Sequence, residues 1–508
     1  MRHGGREEFA IKLLGIDVGT GGTRALLMDE RGEVLGAGAY EHEAFQSPQP
    51  GWAEQSPEDW WRACGLAVKR VLESCDTRAD EIACVGLSGQ MHGAVLLDRH
   101  NEVIRPALIW CDQRTEAQAQ WLDAQFGRER LIQLTCNPPL TNFTLTKLLW
   151  VRENEPQNWE RVRRIMLPKD YVRFRLTGDY AIDVADASGT LLLDVARREW
   201  SEEVLKKAGI DKNMLPALYE SPEICGRVSE EGAVATGLNR GTPVIAGAGD
   251  QAAGAVGMGI ARAGLVSATI GTSEVVFAAT DRPSLDPRGR LHTFCHAVPG
   301  RWFVMGVTQA AGLSMRWFRD RFGAGAEDGR DPYERLIAEA DQQPACDQGV
   351  FWAPYLMGER APYCDPSARA ALLGLSASHS RAQVIRAILE GVAFSLRDTL
   401  TIFEELGVPV EQIRLGGGGS RSRLWRTIQA EVYGREVQRV RTEEGAAYGA
   451  AILAGVGAGI WNSVDEACSA VTCVSETIQP DATRRAVMDR GYRTYRRIYP
   501  ALREVFAE

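Results

Sequence analysis

Leu13 to Asp17 is a short apolar run, Gly19-Thr20-Gly21-Gly22 turns the chain, Ala25 to Met28 is apolar again, and Val34 to Ala39 follows the turn at 29–32. Short apolar runs separated by Gly-rich turns predict a three-stranded meander. The same grammar returns at Leu265 to Ile270, Gly271-Thr272-Ser273 and Val275 to Ala279. The recurrence, about 250 residues further on, points to two related halves, each opening with a hairpin tipped by Gly and Thr.

Between these hairpins the pattern predicts an amphipathic helix over Pro57 to Ser74 and a strand over Ile82 to Leu87 that runs into Ser88-Gly89-Gln90-Met91-His92-Gly93. A second strand is expected over Val95 to Asp98, and a buried strand over Pro243 to Ala248, closed by Gly249-Asp250 and followed by a small-residue helix, Gln251 to Gly257. A domain boundary is expected near Met258, giving domains 11–257 and 258–508. In the second half a strand at Ile413 to Leu415 meets the run Gly416 to Gly419. A helix over Leu424 to Tyr433 follows, with Leu424, Ile428 and Val432 on one face, then a strand over Glu436 to Val440 and a helix from Gly445. Stretches 281–290 and 323–332 read as surface loops.

The 508 residues carry 58 Lys+Arg against 67 Asp+Glu, a net charge of -9, with no basic block. That balance disfavours nucleic acid and anionic membrane surfaces as partners and leaves a small anionic substrate open. The eleven cysteines include no CxxC pair and suit a reducing compartment. The first ten residues, MRHGGREEFA, lack a signal-peptide core, so a cytoplasmic protein is expected.

A Gly/Thr turn after a buried strand aims backbone amides and hydroxyls at one point, as a phosphate requires. Two such turns in matching places raise the possibility of a nucleotide held between duplicated domains. The chain has no G-x-x-x-x-G-K-[ST] and no H-R-D or D-F-G, which excludes a P-loop or a protein-kinase site. The Gly416 to Gly419 run would let backbone approach a purine or ribose. Asp17 ends a strand where a carboxylate could hold Mg²⁺ through water. Asp250 sits at a strand end and at the expected N-cap of the next helix, where cap hydrogen bonds would keep it ionised. A weak base of that kind suffices for phosphoryl transfer through a loose transition state.

Other patterns fit less well. Gly247 to Ala252 matches a dinucleotide fingerprint, but a hairpin follows instead of the required parallel strand; Gly86 to Gln90 lacks the last Gly of a hydrolase elbow. His292 and His296 fall in an extended apolar segment and read as packing rather than metal ligands. His92, in a Gly-flanked loop, could hydrogen-bond a hydroxylated substrate.

These segments together resemble the FGGY carbohydrate kinase family. GIDVGTGGTRALLMD is similar to its first phosphate motif, LSGQMHGAVLLD and RPALIWCDQRT to its sugar-site region, and LPKDYVRFRLTGDYAIDVADASGTLLLDV to its central signature. AGAGDQAAGAVG is similar to the catalytic-base motif, SATIGTSEVVF to the second phosphate motif, and LGGGGSRSRLW to the adenosine motif. The resemblance implies an α/β fold of two ribonuclease H-like domains, as in actin and hexokinase, with the active site in the cleft between them. It implies an ATP- and Mg²⁺-dependent kinase for a ketopentose, with D-xylulose the expected acceptor. The alternatives are a kinase for another ketose, polyol or sugar acid, or a sugar-binding regulatory paralogue without turnover; a homodimer is the candidate assembly.

By the same resemblance Asp250 is the base and Asp17 the acidic residue at Mg²⁺ and phosphate. Met91 and His92 contact the sugar, with Trp110, Asp112 and Gln251 as further sugar-site candidates. Thr20, Gly21, Gly22, Thr23, Gly271, Thr272, Gly312, Gly417, Gly418 and Ser422 fall at ATP-contact positions. Gly21 stands where the family usually has Ser or Thr, and Ala361, Tyr363 and Cys364 where it commonly has Thr, His and Trp. Glu274 follows the second Gly-Thr-Ser, a charge near phosphate unless its side chain turns away.

Overall fold

The computed structural model describes residues 11–323, 331–345, 349–442 and 444–507. The decapeptide MRHGGREEFA, Cys346 and most of the expected loop 323–332 lie outside the described residues; at the end of that loop Asp331 already caps the helix Pro332–Asp341. The stretch 281–290 has no regular structure, as expected.

Each half is built on a mixed sheet with the same order. In the first, Val34–Glu41, Gly22–Asp29 and Lys12–Val18 form the expected antiparallel meander, and Ile82–Gly89 lies parallel to Lys12–Val18 on its other side. Pro243–Ile245 continues the sheet in parallel, with Ile224–Arg227 antiparallel at the edge. In the second, Trp302–Thr308, Glu274–Thr280 and Gly264–Ile270 form the meander, flanked in parallel by Val410–Gly416 and Val437–Val440. Val474–Ile478 closes that side antiparallel, and His292–Cys295 is added at the meander's far edge. The repeat of apolar run, Gly-Thr turn and apolar run therefore marks a duplicated architecture.

The helix Pro57–Ser74 starts and stops where its apolar stripe does, and buries Trp60, Ala63, Ala67, Val68 and Val71. One expected strand differs. Pro243 to Ala248 is broken into Pro243–Ile245 and Ala248–Gly249, because the Ala246 amide bonds to the Glu223 carbonyl (2.9 Å) and the Gly247 amide to the Ser221 carbonyl (3.0 Å). Both pieces still pair with Ile82–Gly89, so the break shifts the chain without removing it from the sheet.

Two helices of small residues join the halves. Gly445–Gly457, from the second half of the chain, lies across the first sheet and against Asp250–Gly257, and its residues Ala447, Ala451 and Ala454 share one hydrophobic cluster with Leu13, Cys84, Ala253 and Val256. The contact is backbone on backbone: a Cβ on Gly449 would stand 1.7 Å from the Ala253 carbonyl oxygen, and one on Gly15 1.9 Å from that of Ala447. Residues 93 to 222 form an insertion on the first sheet that includes the helices Thr144–Asn154 and Pro168–Thr177. The second sheet's edge strand rests on it, through Asn137 Nδ2 donating to the Thr293 carbonyl (2.7 Å) and the Cys295 amide to Ser188 Oγ (3.0 Å).

Among the described residues no helix is long and apolar enough to cross a membrane, and the ten described cysteines are all free. Gly449→Ala isolates the helix contact. In an exposed helix this change stabilises by about 1 kcal/mol; here overpacking should reverse the sign and cost about 1 to 3 kcal/mol. Urea unfolding followed by tryptophan fluorescence should show a lower midpoint for Gly449→Ala than for wild type.

Candidate active site

The register of three parallel segments assembles the site. Asp17 pairs with Ser88, and Gly249 with Gly89, so Asp17, the loop Gln90-Met91-His92 and Asp250 emerge together at the carboxyl ends of neighbouring strands. Such strand ends are where open α/β sheets bind ligands.

Asp250 differs from expectation in two linked ways. Gly249 is the N-cap and Asp250 the first residue of the helix. Half-buried among protein atoms and facing Asp17, its carboxyl is pushed up to about 7 by desolvation first and the Asp17 charge second, against hydrogen bonds from Gln251. It is therefore half-protonated near neutrality rather than firmly ionised. Asp17 is pushed up to about 6 by burial, opposed by Ser88 and Arg24, and its Oδ1 is buried with no hydrogen-bond partner. An orphaned carboxylate oxygen beside a second acid fits a hard cation that takes few carboxylates and fills its shell with water and phosphate.

In the first hairpin the Gly19 amide bonds to the Gly22 carbonyl (3.0 Å), and Gly21 is exposed at the tip. Thr20 Oγ1 accepts from Trp110 Nε1 (2.9 Å), whereas Thr23 is buried with its hydroxyl on His42 Nε2 (2.8 Å). In the second hairpin Gly271 and Thr272 are exposed, and the start of the helix Gly312–Phe322 is latched behind them. The Gly312 amide donates to the Gly271 carbonyl (2.9 Å), and the Ala311 and Leu313 amides donate to that of Thr272 (both 3.1 Å). Gly416 pairs with Thr269, which brings the glycine run beside this hairpin. The Cα of Gly418 faces open space, while Ser422 caps the helix Arg423–Tyr433 by accepting from the Trp425 amide (3.2 Å). Glu274 turns inward: it is buried, accepts from Thr308 Oγ1 (2.5 Å), and is pushed up to about 8, so it brings no charge to the hairpin.

His92 is buried, with a left-handed backbone (φ 68°). Its Nδ1 donates to the Gly189 carbonyl (2.7 Å), and its own carbonyl accepts from Thr144 Oγ1 (3.1 Å) and the buried Lys147 Nζ (3.2 Å). With Nδ1 donating and burial pushing the imidazole down to about 3, the ring is neutral and Nε2 is left as an acceptor. Met91 stands beside Gly249, where a Cβ would meet its Cγ at 2.9 Å. Trp110 is 42% exposed. Asp112 is fully buried, and both its oxygens are taken, by Arg114 (2.7 Å), the Arg114 amide (3.0 Å) and the Ala53 amide (2.7 Å). His292 and His296 pack as expected, on Asn137 Oδ1 (3.2 Å) and the Ile260 carbonyl (2.9 Å).

One cluster escaped the sequence reading. Asp170, Asp183 and Asp186 converge beneath Met91, but Lys169 Nζ sits among them, on Asp170, 2.8 Å from Asp183 and 3.6 Å from Asp186, with Arg173 3.1 Å from Asp170. The cations occupy the place a metal would take. Four acids and three bases at 169–186, interleaved with apolar residues, were the available signal.

The profile "FGGY family of carbohydrate kinases, N-terminal domain" matches residues 12–257, and the C-terminal domain profile matches 266–458. The xylulose kinase of Escherichia coli (strain K12) is 38% identical over 97% of this chain and 100% of its own length. That of Bacillus subtilis (strain 168) is 36% identical over 96% of each. The crystal structure of xylulose kinase from Rhodospirillum rubrum superposes with a TM-score of 0.90, 29% identity, and coverage of 98% of this chain and 100% of that one. The chain belongs to the FGGY family of carbohydrate kinases, and its two α/β halves are that family's two-domain fold.

The raised carboxyl of Asp250 makes a stability prediction whose sign is fixed. Its folded value of about 7 lies above the ordinary 3.8, so between pH 4 and 7 the folded state holds a proton that the unfolded state has lost, and stability falls as pH rises through that window. Asp250→Asn removes this dependence. Its melting temperature should exceed that of wild type by an increment that grows from pH 4 to pH 7 and is constant above, read by thermal melts across that range.

Proposed function

We propose that this carbohydrate kinase transfers the γ-phosphoryl group of ATP to the terminal hydroxyl of D-xylulose, giving D-xylulose 5-phosphate and ADP. The observation that carries the reading is the facing pair Asp17 and Asp250 at the ends of adjacent strands, in a chain whose full-length relatives in Escherichia coli and Bacillus subtilis are xylulose kinases. Asp250 takes the proton of the acceptor hydroxyl; a base that titrates near the working pH balances the ionised fraction against proton affinity. Asp17 holds Mg²⁺, which when bound supplies positive charge to the phosphates.

The two hairpins, at Thr20 to Thr23 and at Gly271 and Thr272, present backbone to the phosphates, and Gly417 and Gly418 approach the nucleoside. Gly312 supports the second hairpin from behind. Thr23 and Ser422 act by holding backbone, since their hydroxyls are already engaged. On the sugar side we assign Met91, the Nε2 face of His92, Trp110 and Gln251, with Asp112 positioning the loop through Arg114 and Ala53. We place the boundary between the sugar and nucleotide domains at 257/258. We place the enzyme in the cytoplasm, which the free thiols of the ten described cysteines suit, and assign it a homodimer, which sedimentation tests. The inward turn of Glu274 keeps its charge off the second hairpin, which favours turnover over a non-catalytic paralogue.

A coupled ADP-release assay should show turnover that depends on both Mg²⁺ and D-xylulose; its absence, in a folded protein, overturns the reading. Asp250→Asn should lower kcat by about two to four orders of magnitude while ATP binding persists. His92→Ala should raise the sugar KM by up to about tenfold, with the ATP KM changed less than about twofold; equal changes would mean that the loop has collapsed.

A further inference from the structure

Arg360 lies in the segment between the short strands Phe351–Ala353 and Ala371–Leu373, anchored by the Ala361 amide on the Val307 carbonyl (3.1 Å). Its guanidinium has no hydrogen bond or ion pair among the described residues. The nearest acids are turned elsewhere: Glu359 folds back onto the Arg360 amide (2.7 Å), and Asp365 accepts from Tyr499 (2.7 Å) and the Ser367 amide (2.8 Å). The side chain is nonetheless partly buried, and burial pushes its pKa down. A cation held out of water without a partner is costly, and five N–H donors in a fixed fork are left unused.

Its position is specific. The guanidinium stands close enough to the imidazoles of His92 and His292 to help hold both neutral. Those rings flank Phe143, at 4.9 Å and 5.8 Å between centroids. The backbone agrees: Ala361 is held on Val307, two residues along the strand from Met305, which pairs with His292. Arg360 therefore reaches from the second half of the chain to the wall that His292, Phe143 and His92 form.

We propose that Arg360 is a specificity-determining residue that binds the oxygens at the end of the acceptor remote from the transferred phosphoryl group, which in a 2-ketose are the C2 carbonyl and the C1 hydroxyl. The inference rests on the sugar-kinase reading above and names the residue that reads the keto end. A planar fork matches two adjacent oxygens, and a carbonyl accepts from it without having to turn a hydroxyl proton away.

The test compares wild type, Arg360→Met and Arg360→Lys with D-xylulose and with xylitol, which replaces the carbonyl by a hydroxyl. Arg360→Met should raise the D-xylulose KM by about ten to a hundredfold, leave the ATP KM within about twofold, and bring the ratio of kcat/KM for D-xylulose over xylitol toward one; Arg360→Lys should fall between. Because the guanidinium has no protein partner to lose, the melting temperature of Arg360→Met should equal or exceed that of wild type. A lowered melting temperature, an equal change in both KM values, or an unchanged ratio between the two acceptors would each overturn the assignment. Failure of the D-xylulose reading is separate: wild type would then prefer another acceptor, and the same variants would be compared on that acceptor and its alcohol.

Discussion

The contact on which the site depends is the crossing of two helices at backbone distance, Asp250–Gly257 against Gly445–Gly457. The first begins with Asp250, and the second is preceded by Glu444, which pairs with Arg24 of the first hairpin. The crossing thus fixes, in one rigid unit, the proposed base and the side chain that ties the first hairpin to the second half. Gly15 and Gly86 clear the sheet surface where the second helix lies on it, at 1.9 Å and 2.0 Å from carbonyl oxygens for any added Cβ. A side chain at any of these points would drive the helices off the sheet by an ångström or more, and reacting groups misplaced by that much lose orders of magnitude in rate.

Charge within the fold follows burial and pairing rather than sequence. Asp170, Asp183 and Asp186 are as deep as any acid in the protein, yet Lys169 and Arg173 stand among them, so this cluster serves as a braced floor beneath Met91. Asp17 and Asp250 have no such cations against them; Arg24 acts on Asp17 only at a distance and is itself engaged with Glu444. The difference separates braced acids from acids left open: the first set is compensated by cations of the protein, and the second has the character that the proposed metal and base roles require.

Strand, turn and helix boundaries were legible because they are local. The apolar runs and their Gly-Thr turns gave both meanders, and the stripe from Pro57 to Ser74 matched its helix to the residue. What failed was whatever depends on distant neighbours. The break at Ala246-Gly247 is made by carbonyls of Ser221 and Glu223, and the ionisation of Asp250 by depth and by Asp17, which is far away along the chain. Glu274 follows a phosphate-type turn in sequence, but strand alternation sends its side chain to the opposite face, onto Thr308. Asp112 is beside Trp110 in sequence and shares none of its exposure. The lack of any partner for the Arg360 guanidinium among the described residues is a property of the whole fold and has no signature along the chain.

The site that results is electrically graded. Two carboxyls without a cation against them face each other on the first sheet; His92 is kept neutral by burial, against the pull of its Gly189 bond; and a segment anchored on the second sheet brings the Arg360 guanidinium, unpaired among the described residues. A 2-ketose, with a reacting hydroxyl at one end and a carbonyl next to the other, has matching polarity, since the reacting hydroxyl must give up a proton and the carbonyl can only accept. Reversing such a molecule would set the carbonyl against the carboxyls, which repel it, and leave the guanidinium with a weaker acceptor. With the roles proposed above, this arrangement would orient the acceptor as well as hold it, and it arises because the carboxyls belong to the first sheet and the guanidinium to a segment anchored on the second.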